Sequence, residues 1–360
     1  MWRVTLVVIV VAAAGCGRHL NPEWCGAPGH RDPACAALLD AGSAVCTLDR
    51  DCPGSICLPE GSCAGQGSVL YVAQDGTGTA CSQDARCLLA TAIGEALPAR
   101  SIISLAPGRY PGAVTIDHAV QIVGAGATLT ATTGDVVSVT NSVAADLYLV
   151  TIMGTGAASG VTCTSGAMLG VHGVTITGNQ QGVTSACDLT LERSTVSSNT
   201  DGALAITAGS IAIHDNFLVT NGSDTARAAS VSIAAGVTGS FDFNTVAYNN
   251  TRQSANTGVD CNAKVTGVGN LVTDNMHKGA FDMKPQVSAT CAFTQSYTLP
   301  GAGGNDLQWV DVTAAAADFH LTAGSTAVLD KVSCAARLDV DGDLRPTGAA
   351  CDYGADELEP

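Results

Sequence analysis

The stretch IAIHDNFLVTN, residues 211–221, contains two asparagines five positions apart. The same pair recurs in FDFNTVAYN, residues 241–249, and in TGVGNLVTDN, residues 266–275. Other chemistry in these three stretches varies, but the pair of asparagines and the aliphatic residues around it return. A pattern that comes back after 20 to 28 residues indicates a stacked structural repeat of that length.

Branched aliphatic residues keep a fixed distance from the second asparagine of each repeat. In chain order these asparagines are Asn179, Asn199, Asn221, Asn249 and Asn275. Three positions before them stand Ile176, Val196, Leu218, Val246 and Val272. A further repeat fits upstream, with Leu147 and Ile152 in the matching positions and Thr155 in place of the asparagine.

The repeats predict an all-β solenoid. Each one consists of short strands separated by turns and lacks helical spacing, so the simplest arrangement is a parallel β-helix of seven to nine coils. Successive coils then lie about 4.8 Å apart, and equivalent residues stack. We expect the second asparagine of each repeat to occupy a tight bend with left-handed backbone geometry and to donate to the next amide, forming a ladder.

Composition limits the function. The chain of 360 residues is 46% hydrophobic but only 4% aromatic and 13% charged, which predicts a thin core of aliphatic layers. Its net charge of -16 argues against nucleic-acid binding, because phosphate recognition needs clustered lysine and arginine. The same charge is compatible with cationic partners or Ca²⁺.

The N-terminus has the pattern of an export signal. MWRVTLVVIVVAAAGCG places Arg3 before a short apolar run that is too short to span a bilayer. Its end resembles a bacterial lipobox, which predicts lipidation of Cys16; cleavage elsewhere as an ordinary signal peptide is the alternative. Removing Cys16 from the 15 cysteines leaves an even number, as an oxidising compartment favours. We expect an outer-membrane lipoprotein that meets the membrane only through its lipid.

The chain divides into five segments. Residues 1–16 are the signal peptide, 17–66 a disulfide-held stalk, 67–98 a cap strand and helix, 99–300 the coils and 301–360 a C-terminal coil and cap. Helical spacing of apolar residues runs to Leu97 before Pro98. In the stalk the pairing of the six cysteines stays open, with zinc as the alternative to disulfides; they are Cys25, Cys35, Cys46, Cys52, Cys57 and Cys63.

Two cysteine pairs follow from the repeat and one from a turn. Cys163 and Cys187 each lie eight positions after the anchor position of neighbouring coils, which predicts a disulfide between them. We also expect Cys261–Cys291 between later coils. Cys81 and Cys87 flank the start of the helix and are expected to pair across a turn.

The chain resembles the pectin-lyase-like right-handed parallel β-helix superfamily. The stretches YVAQDGTGTACS and ISLAPGRYPGAVTI are similar to its N-terminal cap and first coils. The C-terminal run that includes LDVDGDLRPTGAACDYGADE resembles the closing segment of bacterial surface β-helix proteins called choice-of-anchor Q. The resemblance implies a right-handed helix with end caps. It does not specify an activity, because the superfamily includes lyases, hydrolases and adhesins.

Neither family of pectin-degrading enzymes is matched by its motifs. NTDG at residues 199–202 resembles the first motif of polygalacturonases, but the chain has no Asp-Asp pair, no GHG and no RIK. Inverting hydrolysis needs such additional carboxylates. Pectate lyases pair Ca²⁺-binding aspartates with an arginine base, and the acidic residues do not cluster in sequence near Arg193, Arg227 or Arg252.

One column of outward-facing side chains is the candidate site. Seven positions before the anchors stand Tyr148, His172, Glu192, His214 and Asp242. Histidine and carboxylates in a column are metal-ligand and acid–base types. A ligand-binding face, a catalytic or metal site and a merely solvated face are the alternatives, because outward strand positions are polar in any case.

A second candidate lies in the sequence LDVDGDLRP near the C-terminus. Asp339, Asp341 and Asp343 alternate there, which makes them a weak Ca²⁺ candidate that lacks the glycine and glutamate positions of an EF-hand. The resembling C-terminal segments imply a structural cap with charged turns instead. Cys334 and Cys351 bracket the run and are expected to be bonded.

The sequence favours a monomeric, non-catalytic surface protein that binds or scaffolds, with an extracellular polysaccharide as the preferred ligand and no resident cofactor other than the Ca²⁺ considered above. The alternative is a polysaccharide lyase or glycoside hydrolase. Scarce aromatic residues count against both glycan interpretations and most against the enzyme, because sugar rings usually stack on exposed aromatic side chains.

Overall fold

The computed structural model describes residues 46–252, 255–281, 284–299, 307–312 and 317–359. The predicted signal peptide with Cys16, and also Cys25 and Cys35, lie outside the described residues. No helix within the described ranges is long and apolar enough to cross a membrane.

The chain winds through three parallel sheets, and each of the central coils adds one strand to each sheet. Sheet 1 contains Val69–Val72, Ile102–Leu105, Val120–Val123, Ala144–Tyr148, Met168–His172, Asp188–Glu192, Ser210–His214, Thr238–Asp242, Thr266–Val268 and Ala292–Thr294. Sheet 2 contains Gly108–Pro111, Ala127–Ala131, Thr151–Gly154, Thr175–Thr177, Thr195–Ser197, Phe217–Val219, Thr245–Ala247 and Leu271–Thr273. Sheet 3 contains Val114–Ile116, Val137–Val139, Ser159–Cys163, Gln181–Ser185, Gly202–Ile206, Val231–Ile233 and Val259–Cys261.

Few other elements accompany the coils. Within the described ranges one α-helix, Leu89–Gly94, packs Leu89, Ala92 and Ile93 into the core, and a 3-10 turn spans Asp49–Asp51. The helix ends before Leu97, which the apolar spacing had included; Leu97 is exposed and bridges to Arg100 in a turn instead. Short strand pairs complete the described residues: Asn250–Thr251 with Met276–His277, Trp309–Asp311 with Asp318–Leu321, and Arg337–Leu338 with Leu344–Arg345.

The predicted aliphatic file is one stack in the core. Ile176 pairs in register with Ile152 on one side and Val196 on the other, and the file continues through Leu218 and Val246. All of these side chains are fully buried. Inward-facing residues of the three sheets fill the interior, and the prediction of a parallel β-helix is confirmed, with about seven turns.

The second asparagines form a buried ladder along the corner that follows sheet 2. Each Nδ2 donates to the Oδ1 of the next, at 2.9 Å from Asn179 to Asn199 and 2.7 Å from Asn249 to Asn275. The ladder ends on Gln286, whose Oε1 accepts from Asn275. One expectation is wrong: the left-handed residue is the one before each asparagine, for example Thr220 or Tyr248. The asparagine follows the bend and its Nδ2 donates back across it, as from Asn221 to the Val219 carbonyl.

Six disulfides join the described cysteines. Cys46–Cys57 and Cys52–Cys63 close the small N-terminal module, which occupies the sulfurs that a zinc site would need. The remaining bonds are Cys81–Cys87, Cys163–Cys187, Cys261–Cys291 and Cys334–Cys351. So many disulfides are typical of a secreted or extracellular protein.

The C-terminal segment, residues 307–312 and 317–359, lies along the side of the coils, where the sequence had predicted an end cap. Phe319 and Ala355 pack on Phe217, Val219 and Ala247 of sheet 2. These sheet-2 residues face outward, and burying their apolar surface favours a partner on that side. The segment therefore covers one face of the coils and reaches the corner between sheets 1 and 2.

Candidate functional site

The column of outward residues is continuous in space. Tyr148, His172, Glu192 and His214 occupy the last position of neighbouring sheet-1 strands and pair directly across them. The inward residue before each, such as Leu191, is fully buried and fixes the direction of its neighbour. We call these four residues, with Asp146, the polar column.

Glu192 lies at the centre of the polar column. Its Oε1 is 2.9 Å from His172 Nδ1, and its Oε2 is 3.3 Å from His214 Nε2. On the other side of His172, Nε2 lies 3.5 Å from Asp146 Oδ1. The ring of Tyr148 stacks on that of His172 with centroids 4.4 Å apart. The spacing of the strands thus allows adjacent coils to exchange hydrogen bonds and ion pairs.

The contacts shift the ionisation of the polar column. Burial opposes ionisation of Glu192, but the hydrogen bond from His172 and the neighbouring positive charges outweigh it and lower the pKa of Glu192 to about 2. Burial also opposes protonation of His172, yet the hydrogen bonds to Asp146 and Glu192 raise its pKa. Burial, with nearby carboxylates, raises the pKa of Tyr148 to about 12.

At the corner after the polar column lie Asp215 and, from the C-terminal segment, Arg337, two residues that the sequence reasoning missed. His214 Nδ1 lies 2.9 Å from Asp215 Oδ2, and the same carboxylate pairs with Arg337 of the C-terminal segment. Arg193 occupies the equivalent corner one coil away, 3.5 Å from Glu192. Both corner residues have positive φ, at 56° for Asp215 and 47° for Arg193. The repeat could have indicated the corner positions, since Arg193 and Asp215 directly follow residues of the polar column. It could not have indicated that Asp215 pairs with Arg337.

Asp242 does not join the network. Its backbone pairs with His214, but its carboxylate Oδ1 accepts a hydrogen bond from the Val268 amide at 2.9 Å. In this part of sheet 1 the two strands pair through only one residue position. The Asp242 side chain therefore accepts from a backbone amide that strand pairing does not satisfy. Asp242 is therefore corrected from a site candidate to a strand-bridging residue.

Small side chains lie beside the polar column. The next outward positions along the same strands are Gly170, Thr190, Ala212 and Ser240, which pair from coil to coil. We call this strip of outward positions the trough; at Gly170 it is covered by the ends of the Asp146 and His172 side chains. Met168, Asp188, Ser210 and Thr238 line its other side and are exposed. An extended chain laid along the helix axis would contact the same types of group at every coil.

The other sequence candidates have structural roles. The side-chain amide of Asn199, in the polygalacturonase-like NTDG, is hydrogen-bonded within the buried ladder, where it accepts from Asn179 and donates to Asn221. Asp339, Asp341 and Asp343 do not form a common ligand set among the described residues. Instead, Asp339 Oδ1 accepts the amides of Asp341 and Asp343, which makes it the acceptor of a tight turn.

Gly170→Ala is expected to separate Asp146 from His172 while preserving the fold. A Cβ at this position would clash with the ends of both side chains, and both are able to swing away. The pKa of His172 should then fall, because one of the two carboxylates that raise it is displaced while burial still opposes protonation. Histidine-resolved NMR titration measures the shift.

Gly94→Ala is the matched control, because a Cβ there meets nothing within 4 Å. It should leave the His172 titration unchanged. An unchanged His172 pKa in Gly170→Ala would show that Asp146 does not contribute to the network.

The Glu192–His172 pair is expected to stabilise the fold most between about pH 4.5 and 6.5. The pKa of Glu192 is depressed from 4.5 to about 2, so its contribution is present above pH 4.5 and is lost as the pH falls toward 2. The pKa of His172 is raised above 6.5, so its contribution is present below 6.5 and is lost as the pH rises through the folded value.

Glu192→Gln should therefore destabilise the protein at about pH 5.5 and destabilise it clearly less at about pH 2.5. Denaturant unfolding of both forms at the two pH values measures this. Glu95→Gln, on the exposed end of the helix, should have no effect at either pH. An equal loss at both pH values would contradict the pairing.

The fold is similar to a solved enzyme structure. The crystal structure of pectate lyase Pel9A aligns with a TM-score of 0.53 at 12% sequence identity, covering 81% of this chain and 96% of that chain. At this identity the likeness shows the fold alone, a right-handed parallel β-helix, as predicted. No protein-family model and no curated protein matches the chain. The choice-of-anchor resemblance therefore stays a prediction.

Proposed function

We propose that this chain is a non-catalytic binding protein that holds an extended polysaccharide in the trough of sheet 1. The observation that carries the proposal is the polar column itself. Its donors and acceptors repeat along the helix axis beside a floor of small residues, and a polymer of hydroxylated sugars has a matching repeat of donors and acceptors.

The arrangement of the polar column favours binding over acid–base catalysis. A general base needs a pKa near the working pH, and Glu192, with a pKa of about 2, is a weak base. His172 has a carboxylate against each ring nitrogen, so neither nitrogen faces a substrate proton. The carboxylate oxygens of Glu192 and Asp146 keep lone pairs that can accept from ligand hydroxyls, and because pairing holds them in place they bind with little loss of side-chain entropy.

Apolar contacts supply the remainder of the surface. Leu149 and Met168, which flank the polar column, are both exposed. Tyr148 adds an aromatic ring already held by His172. Sugar rings present apolar faces as well as hydroxyls, so such mixed surfaces match them.

Export and anchoring complete the proposal. Lipidation at Cys16 would attach the chain to the outer membrane, and the disulfide module would space the coils from the lipid. The disulfides support an oxidising location outside the cytoplasm. The membrane leaflet is a separate question from the binding role.

The test is a binding screen with the full mature chain. Pectins, alginates and glycosaminoglycans are offered on an array, and hits are measured by calorimetry. Glu192→Gln, which keeps the shape of the side chain, should weaken binding about tenfold, equivalent to one charge-assisted hydrogen bond of roughly 1.4 kcal/mol. Glu95→Gln should bind like the native chain.

The same samples distinguish the alternative. New reducing or unsaturated ends that appear with the native chain and not with Glu192→Gln would make the protein a polysaccharide hydrolase or lyase. Binding that is unaffected by Glu192→Gln would move the site away from the trough. The absence of binding to every polymer would contradict the proposal.

A further inference from the structure

A histidine and two aspartates converge in the C-terminal segment, away from the polar column. His320 lies on the strand Asp318–Leu321, Asp341 on the turn after Val340, and Asp356 near the chain end. One ligand atom from each lies within 4.8 Å of the other two. His320 Nε2 and Asp341 Oδ2 are 2.7 Å apart. Three separate stretches of chain thus meet at one point.

Asp356 is a buried carboxylate close to His320 and Asp341. Asp356 is more than nine-tenths buried, and one of its oxygens accepts the Leu321 amide. Its other oxygen accepts no hydrogen bond from the described residues. Within the described ranges, no lysine or arginine forms an ion pair with Asp318, Asp341 or Asp356, so His320 alone faces three carboxylates. Buried carboxylates are normally paired or bind metal.

The orientation of His320 matches that of a metal ligand. Asp318 Oδ1 lies 2.5 Å from Nδ1, which fixes the ring and directs Nε2 toward Asp341 and Asp356. Metal-bound histidines commonly have such a carboxylate on the second nitrogen. Asp341 is half exposed and able to move by the roughly 1 Å needed to admit an ion at about 2.1 Å from each ligand.

We propose that His320, Asp341 and Asp356 bind one divalent metal ion of the zinc class, oriented by Asp318. Imidazole nitrogen with carboxylate oxygens is a donor set for Zn²⁺ and similar ions, whereas Ca²⁺ prefers oxygen ligands alone. The site differs from the Ca²⁺ candidate in the sequence, since Asp339 and Asp343 take no part.

Three protein ligands leave a fourth position open. His320, Asp341 and Asp318 line a cleft of about 340 Å³ between the C-terminal segment and sheet 2. Arg193 lines the same cleft, and it also contacts Glu192 of the polar column. An ion in this wall would hold water or an anionic group of a ligand in its open position.

The test is calorimetric titration of the untagged, oxidised full chain with Zn²⁺, repeated with Mn²⁺ and Ca²⁺. We expect one Zn²⁺ per chain, with affinity reduced at least tenfold in His320→Ala and in Asp341→Asn. Asp341→Asn changes a half-exposed side chain and is expected to preserve the fold. It therefore tests the site even if His320→Ala fails to fold. His118→Ala is the matched control, because His118 forms an exposed pair with Asp117 at 2.7 Å and no third ligand joins them among the residues that the structure describes.

Each other outcome overturns the proposal. Absence of Zn²⁺ binding up to millimolar concentration, or binding unchanged in both variants, would mean that the residues are only a hydrogen-bonded cluster. Preference for Ca²⁺ over Zn²⁺ would contradict the role of the imidazole. Failure of polysaccharide binding would leave this result untouched, because the titration contains no polymer.

Discussion

Asn221→Ala is expected to lower the free energy of unfolding by about 4 kcal/mol, more than any surface substitution. The amide of Asn221 is buried and makes five hydrogen bonds. Its Nδ2 donates to Asn249 and to the carbonyls of Val196 and Val219. Its Oδ1 accepts the backbone amide and the side-chain amide of Asn199.

Alanine would leave these partners without a replacement. Each buried polar group that loses its only partner costs roughly 1–3 kcal/mol, and partial relaxation reduces the total below a simple sum. The cost is also transmitted, because the carbonyls and amides belong to two neighbouring coils. Solenoid stability depends on such contacts between adjacent repeats.

Denaturant unfolding with the disulfides intact measures this effect. Asn262→Ala is the matched control, since Asn262 is exposed and lies outside the ladder, and its effect should stay within about 0.5 kcal/mol. A loss from Asn221→Ala as small as that of the control would show that the ladder adds no net stability.

The ladder shows what the sequence could predict. The asparagine and the aliphatic residue three positions before it, Asn221 and Leu218 in one coil, recur at the same offset in five coils. In a parallel β-helix such fixed offsets become vertical stacks. Local periodicity therefore determines the core file, the ladder and the polar column together. The position of the left-handed residue was mispredicted, because the repeat pattern fits a bend at the asparagine and a bend at the residue before it equally well. Only the backbone angles and hydrogen bonds distinguish the two positions.

The remainder of the site depends on docking that has no period. Asp215 pairs with Arg337, 122 positions further along the chain. His320 meets Asp341 and Asp356 because the C-terminal segment folds back on sheet 2. No repeat relates these residues, so their contacts follow from the packing of Phe217, Val219 and Ala247 and were invisible in sequence spacing.

Arg345→Met is expected to cost about 3 kcal/mol and to loosen the C-terminal segment. Arg345 is fully buried, and its guanidinium donates to the carbonyls of Gly354 and Ala355. It also lies 3.8 Å from the buried carboxylate of Asp215 and over the ring of Phe243. Methionine fills much of the volume, but it leaves two carbonyls unpaired and removes one positive charge from Asp215.

The same turn attaches the segment to the coils. The Gly354 amide donates to the Gly269 carbonyl, and the Ala355 amide donates to Thr245 Oγ1. Loss of Arg345 should therefore raise the rate of limited proteolysis within residues 337–358. Arg109→Met, at an exposed position on sheet 2, should leave both proteolysis and unfolding unchanged. Equal proteolysis rates for Arg345→Met and the native chain would contradict this role.

Loosening the C-terminal segment should also disturb the residues of the polar column. Arg337 holds Asp215, which in turn fixes His214 beside Glu192, so the polar column depends on the docked segment. Arg345→Met is therefore expected to weaken polysaccharide binding severalfold together with faster proteolysis. Glu192→Gln should weaken binding while proteolysis stays at the native rate, since Glu192 makes no contact within the C-terminal segment among its described hydrogen bonds and ion pairs. If Arg345→Met accelerates proteolysis but binding is unchanged, the column is preorganised by the coils alone.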